Sequence, residues 1–380
     1  MGPFDHPPGA PITPCEWLCL SLLPGLGPVR LKALRERALP WPEGWLAVMP
    51  EKPRRLLGAW LEQPNTGALG QTMGPALDWL HAAPDRHLLT PDQPGWPSLL
   101  DELSDPPALL WGWGDPRALA PPALAVVGTR KPTREGQANG YRFAREMVAA
   151  GYGVTSGMAL GVDGAAHRGA LDGGGRSVAV LGCGVEVLYP RQHAALRQAL
   201  LDQGGLLLSE HLPGTQARAP FFPRRNRIVT GLSLGVLVVE AAMASGSLVS
   251  ARLALEQNRE VFALPGSLNN PQSRGCHWLI REGAHLITSI EELIEALPPA
   301  LVPHGACAET RPEAQAGAPR ERADTPEDPL WALLESEPIA ADRLVERSGV
   351  GIGELGSRLM MLELDGWAAQ VAGGWVRRLP

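Results

Sequence analysis

The sequence predicts an α/β protein: an open, mainly parallel sheet with helices on both faces, a helical domain before it and a winged-helix domain after it. Three observations carry this expectation. Between residues 123 and 266, six short apolar runs ending near Gly, Ser or Glu alternate with helix-length segments. The part before them reads as successive helices. From Pro329 onward, three helical stretches lead into two strand-length pieces around the Gly373–Gly374 corner. A chain of 380 residues also exceeds what one small core organises, so two or three domains are expected.

Taken in order, residues 1–14 are Pro-rich and expected to be disordered, and residues 15–83 form the helical domain. CEWLCLSLL and VRLKALRERAL are joined there by PGLGP at 24–28. Such a turn can offer backbone N–H groups to a phosphate, and Arg30, Lys32 and Arg35 follow it. It is equally an ordinary connection between helices. Residues 84–298 form the sheet domain, opening with a Pro- and Trp-rich bridge at 84–122. The strands are ALAVVG (123–128), GVTSG (153–157), SVAVLG (177–182), LLLSE (206–210), GVLVVE (235–240) and EVFALPG (260–266). Residues 299–327 lose periodicity and read as a linker. Residues 328–380 give the winged helix, with a turn near Gly349.

Composition narrows the function classes. The five cysteines (Cys15, Cys19, Cys183, Cys276 and Cys307) are scattered and odd in number, without zinc spacing, which fits a reducing compartment. The N-terminus lacks the basic start and apolar run of a secretory signal. The most apolar window, 232–251, contains Glu240 and reads as strand, turn and helix rather than a membrane span. A cytoplasmic protein without cofactor or metal is expected. The formal net charge of −6 is uneven: residues 123–297 hold 17 basic and 14 acidic residues (+3), the flanks 17 and 26 (−9). The middle of the chain can therefore present a positive face.

Ligands of open parallel sheets bind beyond the carboxyl ends of the strands, which selects the loops to inspect. The first strand ends in VVGTRKPT, not GxGxxG. There Gly128 and Thr129 allow close backbone approach, Arg130 can hold a phosphate bidentately, and Thr133 can cap the next helix. The alternative is an arginine paired with a local carboxylate. After the second strand, Ser156, Gly157 and Met158 sit where a loop can wrap a phosphate. Asp163 and His167, four residues apart, lack a third metal ligand and are read as ordering the helix start and making a buried hydrogen bond. After the fifth strand, Glu240 suits a nucleophile or a ribose-binding acid, and Ser245, Gly246 and Ser247 suit a phosphate-binding turn or an ordinary helix cap.

FFPRRNRIVTGLS (221–233) precedes the fifth strand and falls on the same rim. It joins Phe222 to Arg224, Arg225 and Arg227, with Asn226 between them. Arginines for the backbone and a ring for an unpaired base are what single-stranded nucleic acid requires. Phe221 is expected in the core, and Arg227 is open.

VVGTRKPT, SGMALGVDGAAHRGAL, LGCGVEVLYP, FFPRRNRIVTGLS, EAAMASGSLVSARLALEQNREVFALPG and GCHWLIREGAH together resemble the DNA-processing protein A family (DprA/Smf) through about residues 90–297. The resemblance implies a Rossmann-like domain that binds single-stranded DNA, forms a homodimer and helps load RecA in natural transformation. It also implies a SAM-like helical domain before it and, in many members, a winged helix after it. Its pocket maps onto Gly128, Arg130, Gly157, Phe222, Arg224, Arg225, Asn226 and the 245–247 turn. Where some members carry a lysine shortly before the phenylalanine, this chain has Ala219 and Pro220, with Arg218 nearby.

Two other classes compete with a non-catalytic strand-binding protein. A phosphoribohydrolase-like nucleotide-processing enzyme needs PGGxGTxxE at the turn that here reads EAAMASGSLVSA. A duplex-DNA regulator needs a basic recognition helix, but the terminal domain offers Glu354, Glu363 and Asp365 against Arg358. A protein contact or a regulatory role fits that helix better, and DNA contact by the wing residues Arg377 and Arg378 is the lesser reading.

Overall fold

The computed structural model describes residues 11–64, 66–298, 328–334, 338–364, 367–371 and 374–377. Five helices come first: α1 Pro14–Leu22, α2 Pro28–Glu36, α3 Glu43–Val48, α4 Glu51–Glu62 and α5 Gly67–His81. A reciprocal cap starts α1: Thr13 Oγ1 accepts the Glu16 N–H while the Glu16 carboxylate accepts the Thr13 N–H at 2.7 Å. Glu16 also accepts the Trp41 indole N–H at 2.8 Å, tying the cap to an edge-to-face cluster of Trp17, Trp41 and Trp45. Ile12 is buried in the same core. Residues 12–14 thus depart from the disorder expected of 1–14, and the TPCE capping box is the signal that marks them. The first ten residues lie outside the described ones.

The cations after the PGLGP turn hold the helices to the sheet domain. The Lys32 ammonium donates to the carbonyls of Asp101 (2.7 Å) and Leu103 (2.9 Å). Arg35 pairs with Asp92 (2.9 Å) and Asp101 (2.8 Å) and donates to the Pro91 carbonyl. Arg30 donates to Gly25 O within its own turn. Two of the three candidate phosphate ligands of this turn are therefore committed to packing.

The Pro- and Trp-rich bridge contains two unforeseen strands, β1 Arg86–Leu89 and β2 Leu110–Gly114. The alternating region follows as β3 Ala123–Val127, α6 Arg134–Ala149, β4 Gly153–Ser156, α7 Val162–Asp172, β5 Ser177–Leu181, α8 Ala194–Asp202, β6 Leu206–Ser209, α9 Phe221–Gly231, β7 Gly235–Val238, α10 Gly246–Glu256, β8 Glu260–Ala263, α11 Arg274–Arg281, β9 His285–Leu286 and α12 Ile290–Glu295. One sheet runs β1-β2-β6-β5-β4-β3-β7-β8-β9. Its members from β6 to β9 pair in parallel, and β2 joins β6 antiparallel, with Trp111 opposite Ser209. All six strands read from the apolar runs are present.

Side-chain alternation along each strand feeds two cores. Leu124 and Val126 of β3 meet Phe143 and Met147 of α6 and Val162 of α7. Ala125 and Val127 face Ile228 of α9, Ala251 of α10 and Cys276 of α11. A strand buried on both sides must be apolar at every position, which is why these runs show no polar alternation.

The second compact unit begins past residue 308. Its described part comprises α13 Pro329–Leu333, α14 Ala341–Ser348, α15 Ile352–Leu364 and the hairpin β10 Ala368–Val371 with β11 Gly374–Arg377. Leu344, Leu355, Leu359 and Leu362 form its core. Gly349 takes the left-handed conformation that ends α14 (φ 70°). The linker expected at 299–327 lies outside the described residues.

Arg35→Ala, which leaves two aspartates without their cation, should lower the free energy of urea unfolding by about 1–2 kcal/mol. Arg30→Ala should stay within about 0.5 kcal/mol of wild type.

Candidate nucleic-acid interface

Strands β3 and β7 are neighbours, yet the chain leaves them in opposite directions, towards β4 and towards β8. That reversal opens a crevice beyond their carboxyl ends. The cleft there measures about 640 Å³. Its walls are the loop after β3, the start of α9 and the start of α10.

Nine of the fourteen strand-binding candidates line it: Gly128, Thr129, Arg130, Phe222, Arg225, Asn226, Ser245, Gly246 and Ser247. Gly157 and Met158 line a smaller chamber of about 50 Å³ beside it, again with Arg130, Phe222 and Arg225. Ser156 is not in the loop but fully buried at the end of β4, donating to Val126 O at 2.7 Å. Thr133 caps α6 as expected, accepting the Gly136 N–H at 3.0 Å, and its hydroxyl donates to Glu240 at 2.5 Å. Arg224 stands on another face of α9, half-exposed, 3.6 Å from Glu210.

The exposed rim carries one cation and two rings in contact. The Arg130 guanidinium lies 5.6 Å from the Phe222 ring centre, and Tyr189 packs on Phe222 at 5.1 Å with an interplanar angle of 35°. Tyr189 is 42% exposed and was not singled out from the sequence. The signal was available, since LGCGVEVLYP leads out of the carboxyl end of β5. Phe221 is half-buried and stacks on His211 at 4.1 Å. Arg227, open in the sequence, is buried against Asp105 and Glu210.

Arg225 belongs to the floor rather than the rim. It is 5% exposed, and its guanidinium donates to the carbonyls of Gly157 (2.6 Å) and Val180. A Cβ on Gly157 would overlap that guanidinium. Burial pushes its pKa down to about 10, and Asp163 opposes the shift. The group remains a cation at neutral pH, lending charge to the cleft from beneath.

Asp163 and His167 order the loop after β4. The buried Asp163 carboxylate accepts the N–H groups of Gly157 (3.2 Å) and Ala159 (3.3 Å). Burial raises its pKa to about 6 against the pull of Arg225. His167 Nε2 accepts the Met158 N–H at 3.3 Å, so its Nδ1–H donates to Ser177 Oγ at 2.8 Å. Burial lowers its pKa to about 3. The structural roles expected for this pair therefore hold. Glu240, which under the enzyme alternative suited a nucleophile or a ribose-binding acid, is 6% exposed and bonded to Thr133 and Asn270, which commits it to packing.

A family model described as DNA recombination-mediator protein A matches residues 87–298, and one described as the DprA winged helix domain matches 312–374. The chain belongs to the DNA recombination-mediator protein A family. It is 45% identical over 305 residues to Protein Smf of Escherichia coli, covering 80% of each chain. It is 42% identical over 203 residues to the DNA processing protein DprA of Streptococcus pneumoniae, covering 52% of this chain and 70% of that one. The X-ray structure of DNA processing protein A from Streptococcus pneumoniae superposes with a TM-score of 0.63 at 32% identity, covering 76% of this chain and 99% of that one. A DNA-processing role related to recombination goes with that membership. Among the described residues no helix is long and apolar enough to cross a membrane.

His167 protonates near pH 3 in the folded protein but near 6.5 when unfolded, so acid favours unfolding. The loss begins as pH falls below about 6.5 and is on the order of 2 kcal/mol at pH 5. Asp163 works oppositely: folded it protonates near 6, unfolded near 3.8, so its contribution grows as pH falls from about 6 to 4. His167→Gln removes the first effect and keeps the second. Thermal melts should show that the variant's Tm, relative to wild type, rises between pH 7 and pH 5.

Proposed function

We propose that this protein is a non-catalytic, single-stranded DNA-binding recombination mediator, whose cleft captures strand phosphates and stacks unpaired bases before the strand passes to RecA. The observation that carries the reading is the Tyr189–Phe222 pair with Arg130 against the same ring, on the rim of a cleft floored by the buried Arg225 cation. Stacked rings accept any unpaired base but cannot reach bases inside a duplex. The N-terminus of α10 adds a phosphate seat: Ser245 Oγ caps the Ser247 N–H at 3.2 Å, and Gly246 is exposed with open space where a Cβ would stand. Homodimerisation through the sheet domain, protection of incoming DNA and a place in natural transformation complete the proposal, supported by family membership.

The competing classes fit less well. A glycoside-cleaving enzyme needs a free carboxylate in the crevice, whereas Glu240 is engaged by Thr133 and Asn270. A duplex reader needs free cations on α15, whereas Arg358 pairs with Asp328 and Glu354.

The reading is tested by anisotropy titrations of labelled oligo-dT against salt. Phe222→Ala should cost about 1–3 kcal/mol of affinity and leave the salt slope unchanged. Arg130→Ala should reduce the slope by about 0.7 for the one phosphate it neutralises. Unchanged affinity in both variants, or a duplex competing as well as oligo-dT, would place the binding surface elsewhere.

A further inference from the structure

In doubly wound sheets the helix after the first crevice strand commonly receives a phosphate at its N-terminus, where unsatisfied N–H groups and the helix dipole favour an anion. Here that helix is α6, sixteen residues long, following β3. An anion is already there, and it belongs to the protein. Glu240 reaches across from the end of β7, and its carboxylate accepts the Thr133 N–H at 2.9 Å and the Thr133 hydroxyl at 2.5 Å. Asn270 Nδ2, from the loop after β8, closes the other side at 3.3 Å.

Two further observations show a fitted seat. Position 136, in the first turn of α6, is glycine, and a Cβ there would overlap the Glu240 carboxyl group. The backbone registers the same approach, with the Thr129 N–H donating to Glu240 O at 2.8 Å. Carboxylate, helix terminus and loop after β3 therefore form one unit, and Glu240 is 6% exposed within it.

We propose that Glu240 is a built-in anion that occupies the phosphate seat of the first crevice turn and makes the cleft selective against nucleoside phosphates. A mononucleotide or dinucleotide entering in the usual pose would set its phosphate against a buried carboxylate, and like charges at that spacing exclude each other. Anionic ligands are left the wall that carries Arg130 and the start of α10, together with Phe222 and Tyr189. A polymer can thread along that wall with one phosphate after another, whereas a mononucleotide loses its principal anchor. The occupied seat stands on the geometry alone. Only the preference for a polymer rests on the strand-binding reading.

Glu240→Ala empties the seat and leaves Thr133 N–H and Oγ–H, Asn270 and the α6 dipole without their acceptor. Thermal melting of the full chain is measured in inorganic phosphate and in sodium chloride at matched ionic strength. The variant should melt below wild type in chloride and regain a few degrees, saturably, in phosphate; wild type should show no such difference. Glu240→Asp, which keeps the charge, should stay unresponsive. If Glu240→Ala is unfolded in chloride, recovery of its circular dichroism signal in phosphate is the supporting outcome. Failure in both salts, an equal phosphate response in wild type, or a response in Glu240→Asp as large as in Glu240→Ala overturns the proposal. Oligo-dT binding by wild type, measured in parallel, reports separately on the strand reading, because phosphate rescue of the variant does not depend on it.

Discussion

One buried cation fixes the geometry on which the cleft depends. The Arg225 guanidinium spans from α9 to the carbonyls of Gly157, beyond β4, and Val180, in β5. Those carbonyls lie at the carboxyl end of the sheet, where part of the backbone has run out of ladder partners. A hydrogen-bonding cation resolves that deficit and locks the helix over the strand ends. Its position demands glycine at 157, because any side chain would occupy the guanidinium's space. It also sets the register of α9: Phe222, three residues earlier on the same helix face, is carried onto the rim beside Tyr189. The desolvation of a buried arginine is offset by these hydrogen bonds and by Asp163.

The two arginines that flank this anchor show how helix periodicity divides labour within one motif. Arg224 and Arg227 are three residues apart and share Glu210, at 3.6 Å and 2.5 Å. Arg227 is closed off with Asp105, while Arg224 keeps half its surface in solvent. A run that reads as a uniform basic patch is thus three environments: a floor cation, a buried bridge to the segment before β3, and a half-exposed cation paired with Glu210 on another face of the helix.

What the sequence revealed and what it withheld follow one physical line. Strands β3 to β8 were legible because burial on both faces makes them continuously apolar, and the rule for parallel sheets then named loops that meet at one cleft. The bridge strands β1 and β2 were not, because RHLL is a four-residue stretch of mixed polarity and LWGWG is interrupted by glycine, so periodicity gave no sign. The same limit governs the site. The strand order placed Arg130, Phe222 and Ser245 at one cleft, the first and last just beyond strand ends and Phe222 in the segment that leads into the fifth of the six strands. It did not separate Arg225 from Arg224, nor lift Tyr189 above its neighbours, since burial and ring contacts arise from tertiary packing. Ser156 illustrates the error in the other direction. One position before the loop its hydroxyl points back to β3, and a polar side chain that looks like a ligand serves the sheet.

Glu240 extends that point from placement to selectivity. A carboxylate at a strand end beside a crevice reads as chemistry, and on many sheets of this class the reading is sound. Here the nearest donors are not a substrate's but those of the α6 terminus, and they hold the group in that helix cap. The same donors that favour a phosphate in a nucleotide-binding sheet stabilise an internal anion in this one. Removing one phosphate seat while leaving stacked rings and a rim arginine changes the kind of ligand the crevice can hold. A ligand whose affinity comes from one phosphate is disfavoured, and a ligand that repeats phosphate and base along its length keeps every contact that remains. On the strand-binding proposal, selectivity for a strand over a nucleotide follows from where the protein has already spent its helix termini, more than from the number of arginines it displays.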